Sequence, residues 1–529
     1  MVYRGPAMTA SDPADSARSR RRGRRRGRER EPRSAVPVQR PWRQPRRSFA
    51  PVDLVSEDEI ETIHQTSLRI LAEIGIDILH PEARRLLAEA GAEVDPDSER
   101  VRFDPAFVTE AVSTAPADFT LHAVNPKRDL VIGGDTVAFA AVASAPNASD
   151  EAGGRRPGNH DDFRDLVRLG QMLNTVHLWG GYPVEPVDLH ASVRHLDTLF
   201  DLLTLSDRVI HAYSLGAQRN RDALEMVRIA RQVEDDTLDR EPSILSVVNA
   251  SSPLRYDAPM LEGILEFSSR NQVIIVTPFT LAGAMAPITL AGALAQHNAE
   301  ALAGIALTQV VRPGAPVIYG GFTPNVDMQS GAPTFGTPEY MKTAMITGQL
   351  ARRYGIPYRS SGVNAANALD AQAAYESVFS LWGAVMGGAH LVFHAHGWME
   401  GGLRASFEKM VLDADLCGMV SAFLDPVEFG PDDLAFDTVR EVGPGGHHFG
   451  TAHTLERFRT AFYAPLISDW RNHEAWTEAG QPDARARMVE LVKELLGAYV
   501  PPTLDPTARE ELEEFVMRRK REGGVPTDY

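Results

Sequence analysis

Three histidines, His390, His394 and His396 in the run HLVFHAHGWMEGG, are the densest chemistry in the chain. In an extended strand successive side chains alternate sides, so His390, Val392, His394 and His396 would share one face. Imidazoles in a row can ligate a metal, relay protons or line a pocket with donors and acceptors. A His-x-His at a strand end also opens the zinc site of some barrel hydrolases, which needs further His, Asp or carboxylated Lys ligands from other strands. Such partners are not evident: His211 falls inside its own apolar run, and Asp150 and Glu185 would join the pair only by coincidence of fold. The expectation is therefore no metal, with His394 and His396 as catalytic candidates in a pocket and His390 as buried packing at a strand start.

Eight short apolar runs read as strands, at 137–142, 176–182, 208–213, 243–248, 273–276, 316–319, 356–359 and 390–393. Stretches of helical period lie between and after them, at 161–173, 190–205, 220–232, 258–269, 287–311, 338–354, 370–386 and 406–423. Eight strand–helix units is the count of a closed barrel. The expected fold is thus α/β, an eight-stranded β/α (TIM) barrel over residues 131–425. An N-terminal helical cap over 51–130 precedes it, and a C-terminal loop and helical extension over 426–529 follows. The cap opens with the capping-box pair Ser56 and Glu59, carries Ile60, Ile63, Ile70, Leu71 and Ile74 at helical spacing, and stops at Gly75.

Composition narrows the class. One cysteine, Cys417, excludes an intrachain disulfide framework and fits a cytoplasmic setting. Residues 1–50 hold 15 Arg against 4 acidic residues, whereas the remainder holds 39 basic and 67 acidic groups. An acidic body repels phosphate backbones, so nucleic acid is not expected except through the tail. The tail's Arg run, Arg18 to Arg30, lacks an apolar face and is broken by Gly, so residues 1–50 read as disordered. The uncharged stretch Val273 to Ala295 is long enough to span a bilayer, but Pro278, Gly283 and Pro287 divide it into a buried strand, a loop and a buried helix. No membrane association is expected. Neither G-x-G-x-x-G after a strand nor a P-loop occurs.

Barrel chemistry sits where strands end at their carboxyl side. Those ends supply Arg155 and Arg156, Tyr182 with Glu185, Tyr213, Asn249, Phe279, Phe322, Ser360 with Asn364, and His394, His396, Trp398 and Glu400. Lysine is scarce there, which removes a Schiff-base mechanism, and no Ser stands in a G-x-S-x-G elbow. Cys417 falls within a helical run and reads as a buried, inert thiol.

Several segments, in order, resemble the trimethylamine methyltransferase family. They are DEAGGRRPGNHDDFRDLVRL from Asp150, VVNASSPLRYD from Val247, TPFTLAGAMAPITLAGALAQHNAE from Thr277 and GTPEYMKTAMITGQLARRYGIPYRSSG from Gly336, followed by LDAQAAYES, SFEKMVLDAD and GPGGHHFGTAHT. The resemblance runs from about Ser56 to about Tyr499. It implies a β/α barrel that moves a methyl group from a methylamine or quaternary amine to the cobalt of a separate corrinoid protein. The founding archaeal members use pyrrolysine; this chain has standard letters only and so resembles the branch without it, which includes glycine betaine methyltransferases.

The implied chemistry selects residues. Co(I) attack on an N-methyl carbon needs a neutral leaving group, which a quaternary ammonium provides and a tertiary amine does not unless protonated or captured. A quaternary ammonium has no N–H to donate and is held by aromatic faces. Tyr182, Tyr213, Phe279, Phe322 and Trp398 are the candidates for that task. A substrate carboxylate would take Arg155, Arg156, Asn249, His394 or His396, although Arg155 and Arg156 suit structural ion pairs equally well; Glu376, one helical turn from Gln372, is a further catalytic candidate that either faces the mouth or caps a salt-bridge network. The corrinoid would come with its partner protein and none would be bound tightly; a homo-oligomer is expected. The loop GPGGHHFGTAHT would either close over the mouth or pack statically. Two other readings stay open: a metal-dependent barrel hydrolase, and a barrel that binds a betaine without catalysis.

Overall fold

A computed structural model describes residues 38–527, so the Arg18–Arg30 run lies outside the described residues. Six parallel strands form the central sheet, in the order Ala138–Ala141, Leu391–His396, Tyr358–Ser361, Val317–Gly320, Val273–Val276 and Leu245–Val248. Single parallel bridges, Ala140 to Leu178, Leu178 to Val209 and His211 to Leu245, run on from the first of these strands to the last. The helices lie close to the expected spans, from His160–Met172 to Phe407–Phe423.

Two expected strands, 176–182 and 208–213, form no ladder, and side chains explain why. The imidazole of His177 accepts the N–H of Phe139 (2.9 Å), and that of His211 accepts the N–H of Val247 (2.9 Å). Each ring takes a backbone donor that a neighbouring strand's carbonyl would otherwise bond. Gly180, Gly181 and Pro183 further shorten the first run.

Strand alternation sorts the apolar residues into two cores. Leu178, Val209, Leu245, Val273, Ile275, Ile318 and Leu391 form a cluster inside the curl, closed from below by Leu121, Leu130 and Ile132 of the hairpin Phe119–Leu121/Leu130–Ile132. Their neighbours in sequence, such as Val248, Ile274, Val317 and Val392, pack outward against the helices. Buried on both faces, these strands read as near-continuous apolar runs. The stretch 273–295 resolves into the strand Val273–Val276, a loop and the start of helix Leu290–Val311. Among the described residues no helix is long and apolar enough to cross a membrane.

The segment 51–130 departs from a purely helical cap. Helix Glu57–Arg69 carries the capping box at Ser56 and Glu59 and ends through a π turn at Gly75. Strand Ile76–Ile78 then pairs with Arg100–Arg102 and with Arg255–Tyr256, so this region is mixed α/β. The tail boundary also falls earlier than residue 50. Gln39 donates to the Met172 carbonyl, and the buried Arg47 donates to the carbonyls of Ala389 and Gly134. A guanidinium satisfies several carbonyls at once, which holds an otherwise polar stretch against the body.

Candidate functional site

At the carboxyl ends of the strands lies a cavity of about 420 Å³. Every unit contributes to its wall: Ser144, Gly180, His211 with Tyr213, Asn249, Phe279, Phe322, Arg359, and His394 with Trp398. The period of two places them. Asn249 is in phase with Leu245, Phe279 with Ile275 and Phe322 with Ile318, so each continues the inward face of its strand past the ladder.

The supports of these rings can be traced. His297 is fully buried, donates Nε2–H to the Gly320 carbonyl (3.0 Å) and accepts at Nδ1 from the hydroxyl pair of Thr280 (3.0 Å) and Thr323 (3.2 Å), which bond each other at 2.8 Å. Those two threonines follow Phe279 and Phe322 directly, so one imidazole ties both loops and sets the rings 5.3 Å apart. Tyr213 bonds Ser144 (2.7 Å) and receives the N–H of Tyr182 (3.0 Å). Gly181, at φ +143°, leaves the space that the Tyr213 hydroxyl occupies; a Cβ there would collide with it. Trp398 is drawn over the cavity because Asn364 donates to its carbonyl (2.6 Å) and Asp413 accepts the preceding Gly397 N–H (2.8 Å). It lies 4.1 Å from the His394 ring.

The sequence reading placed His390, His394 and His396 on one face, and the backbone alters this. Alternation from Leu391 and Phe393 sends even positions outward, and only a bulge between Val392 and His396, with His394 at φ +57°, turns His394 into the cavity. Ser144, across the mouth, is also left-handed, at φ +63°. Strained backbone of this kind gathers at functional sites. His396 is fully buried in the wall, bonded to Thr175 (3.0 Å), and burial pushes its pKa down to about 3. His394 and His396 therefore do not share a ligand. Among the described residues no group of three or more His, Cys, Asp or Glu converges as a metal would require.

The electrostatics centre on a residue that the sequence reading passed over. Arg359 is 3% exposed and lines the cavity; among the described residues it has no carboxylate partner, and its Nε and Nη1 bond nothing. Its guanidinium lies over the rings of Phe393 (4.7 Å) and Phe322 (5.4 Å), and burial lowers its pKa to about 10. Nη2 donates to His394 Nε2 (3.4 Å), so neutral His394 carries its proton on Nδ1, which has no partner. His211 accepts from Val247 at Nε2, so its Nδ1 is likewise an unpaired donor in the cavity wall. Burial and the Arg359 charge hold both rings neutral, His211 at about 3 and His394 well below the usual imidazole range. The indole N–H of Trp398 is a further unpaired donor. Among the described residues no acidic side chain lines the cavity. Buried donors without acceptors are costly, and an anionic group is what these donors would satisfy.

Of the residues singled out from sequence, Tyr213, Asn249, Phe279, Phe322, His394 and Trp398 meet around this one cavity. Tyr182 supports Tyr213 from behind, ring centroids 4.7 Å apart, and lines an adjoining smaller pocket. Arg155 pairs with Glu400 (3.0 Å), and Arg156 with Asp150 (2.6 Å) and Asp162 (2.5 Å). Both sit on the hairpin Asn147–Asp150/Gly154–Pro157, which joins strands Trp398–Met399 and Arg404–Ser406 in a small sheet. Glu376 caps a loop, accepting the N–H groups of Ala365 and Ala366 and the amide of Gln372. None of these three lines the cavity. No residue of the loop 443–454 lines it either.

Arg359 becomes legible once the strand register is known. It is in register with Gly320 and Leu391, both on the inward phase, and a lone charge on that phase of a doubly buried strand is the signal. Counting it as strand body rather than strand end hid it.

The chain belongs to the trimethylamine methyltransferase (MTTB) family, whose model matches residues 20–524. It is a methyltransferase enzyme. It is 35% identical to the glycine betaine methyltransferase of Desulfitobacterium hafniense (strain Y51) over 473 residues, 89% of this chain and 98% of that one. It is 27% identical to the trimethylamine methyltransferase MttB of Desulfitobacterium hafniense (strain DSM 10664 / DCB-2), over 89% of this chain and 94% of that one. Its identity to the proline betaine:corrinoid methyltransferase of Eubacterium limosum is 26%, over 87% and 96%. Among solved structures, the carboxyl transferase domain of Rhizobium etli pyruvate carboxylase overlaps 88% of this chain and 72% of its own at a TM-score of 0.29 and 11% identity, a likeness too loose to build on.

Proposed function

We propose that the curled sheet is a closed eight-unit β/α barrel whose second and third strands are reduced to the bridges at Leu178 and at Val209 and His211. Its mouth transfers a methyl group from a quaternary amine bearing a carboxylate, a betaine, to the Co(I) of a corrinoid protein. The observation that carries this reading is the unpaired, buried Arg359 in a cavity walled by rings and free of acids. The substrate carboxylate takes Arg359 and the Nδ1–H groups of His211 and His394. The ammonium lies among Tyr213, Phe279 and Trp398, each ring contributing about 0.5–2 kcal/mol. Because no carboxylate competes for the ammonium, a substrate carrying both charges complements the site and choline, with the cation alone, does not.

In the transfer, the Co(I) electron pair forms the Co–C bond while the C–N pair stays on nitrogen, which leaves as a neutral tertiary amine. Neither a proton nor a protein nucleophile is required, which agrees with imidazoles held neutral. The chain's share is to orient one N-methyl toward the open mouth and exclude water, which strengthens the charge–ring contacts. The relatives named for glycine betaine and proline betaine support this substrate class.

The test mixes the purified enzyme with Co(I)-cobalamin and a panel of glycine betaine, proline betaine, carnitine, choline and trimethylamine, and follows methyl-cobalt absorbance. Methylation by one or more carboxylated donors, with choline and trimethylamine inert, is expected. Methylation by choline or trimethylamine alone contradicts the reading.

A further inference from the structure

Beyond the mouth, residues 426–470 are organised unlike the rest of the chain. The short helices Pro431–Leu434, Phe436–Val442 and Ala452–Arg457 bury no side chain at all. Yet the segment is rich in apolar groups: Phe429, Phe436, Phe449, Phe458, Phe462 and Trp470 are between 58% and 85% exposed. A monomer rarely leaves so many large apolar groups of one segment in water.

Both roots of this arm are fixed. Asp425 is gripped by Arg40 and Arg43, and on return Tyr463 donates to the Asp415 carboxylate (2.6 Å), which also accepts the N–H groups of Leu466 and Ile467. The first root lies at the amino ends of the strands, where the Arg43 carbonyl meets His177. A corrinoid protein must instead reach the cavity at the opposite, carboxyl ends.

The same chain carries a matching surface. On helix Ala371–Met386, Tyr375 and Phe379 stand four residues apart and are 55% and 43% exposed; on Phe407–Phe423, Met419 and Phe423 repeat the spacing at 49% and 54%. Trp382 packs edge-on against Phe423 at 4.9 Å and joins the two helices into one stripe. Aromatic side chains bury about 150 Å² or more each. With five such rings between 426 and 462, two arms thus offer about 1,500 Å², before the receiving surface is counted, against the roughly 1,200 Å² at which stable specific interfaces begin.

We propose that residues 426–462 are a clasp, and that its occupant is a second copy of this chain, whose stripe at Tyr375, Phe379, Met419 and Phe423 receives it. A twofold axis lets each copy give an arm and take one, so both apolar surfaces are covered at once.

The test uses the full chain in sedimentation and light scattering across a wide concentration range. Expected is a dimer or larger even assembly of the 57.9 kDa chain. An arm variant, F449E/F462E, and a stripe variant, Y375K/M419K, each sediment as the monomer. Mixing the two variants restores part of the association, since one intact arm then meets one intact stripe; a general loss of folding would give no such recovery. A monomeric full chain, an assembly that survives both pairs of substitutions, or mixtures that stay monomeric overturn the proposal.

Discussion

The two ends of the curled sheet use the same residue types in opposite ways. At the amino ends the imidazoles are spent on the fold: His390 accepts the Tyr358 N–H and donates to the Gly134 carbonyl, and His177 accepts from Phe139 and donates to the Arg43 carbonyl. Arg47 there donates to two carbonyls. At the carboxyl ends His211 and His394 each bond the protein through one nitrogen and present the other to the cavity, and Arg359 leaves two nitrogens unpaired. Polar groups satisfied within the protein serve stability, whereas those left unsatisfied in a cavity serve a ligand.

The largest effect should come from acid, which strikes both ends together. Burial lowers the pKa of His177, His211 and His396 to about 3 and of His297 and His390 to about 4, whereas an unfolded chain's histidines titrate at about 6.5. Above that value the rings are neutral in both states and stability is complete. As pH falls below it the unfolded chain takes protons that the folded one refuses, at a cost of about 2 kcal/mol for each ring at pH 5. Melting temperature should therefore drop steeply between pH 6.5 and 5; an unchanged melt over that range would mean these rings are not held neutral.

Substitution then separates the ends. His390→Phe orphans the Tyr358 N–H and the Gly134 carbonyl, and should lower unfolding free energy by about 2–4 kcal/mol in urea titration while leaving KM unaltered. His394→Ala should do the reverse, changing stability by less than about 1 kcal/mol and cutting kcat/KM for the betaine by roughly 10- to 100-fold. Equal effects of the two on stability would erase the distinction. Phe279→Ala should raise KM about 5- to 30-fold, the loss of one ring face. Smallest is Arg155→Ala, a half-exposed side chain of the outer hairpin paired with Glu400, which keeps Arg404 as a partner, expected within about threefold of wild type in kcat/KM.

The sequence made the alternation of strands and helices legible because each unit is punctuated and periodic; helices Ala258–Ser269 and Pro338–Tyr354 match residue for residue. Tyr213, Asn249, Phe279 and Phe322 could be found because they follow their strands directly, and strand ends face the mouth. Three features were hidden. The bulge at His394 depends on a left-handed residue that no local pattern announces. The fate of Arg155 and Glu376 was set by a partner distant in the chain and by a loop's backbone, Glu400 and Ala365, and that of Arg156 by the turn that brings Asp150 and Asp162 together around it. Arg359 required knowing the register of three neighbouring strands. The arm at 426–470 was placed in the C-terminal extension, but its exposure becomes visible only once the core that excludes it has formed.

The most direct measurement is a binding cycle by calorimetry: wild type and Arg359→Met, each titrated with the accepted betaine and with an analogue whose carboxylate is replaced by a hydroxyl. Two charge-assisted bonds are at stake, so the betaine should lose about 3 kcal/mol, a factor of about 100 or more, while the analogue changes by less than about threefold. Equal losses for both ligands, or none for either, would contradict the assignment of Arg359 to the substrate carboxylate and with it the account of the mouth.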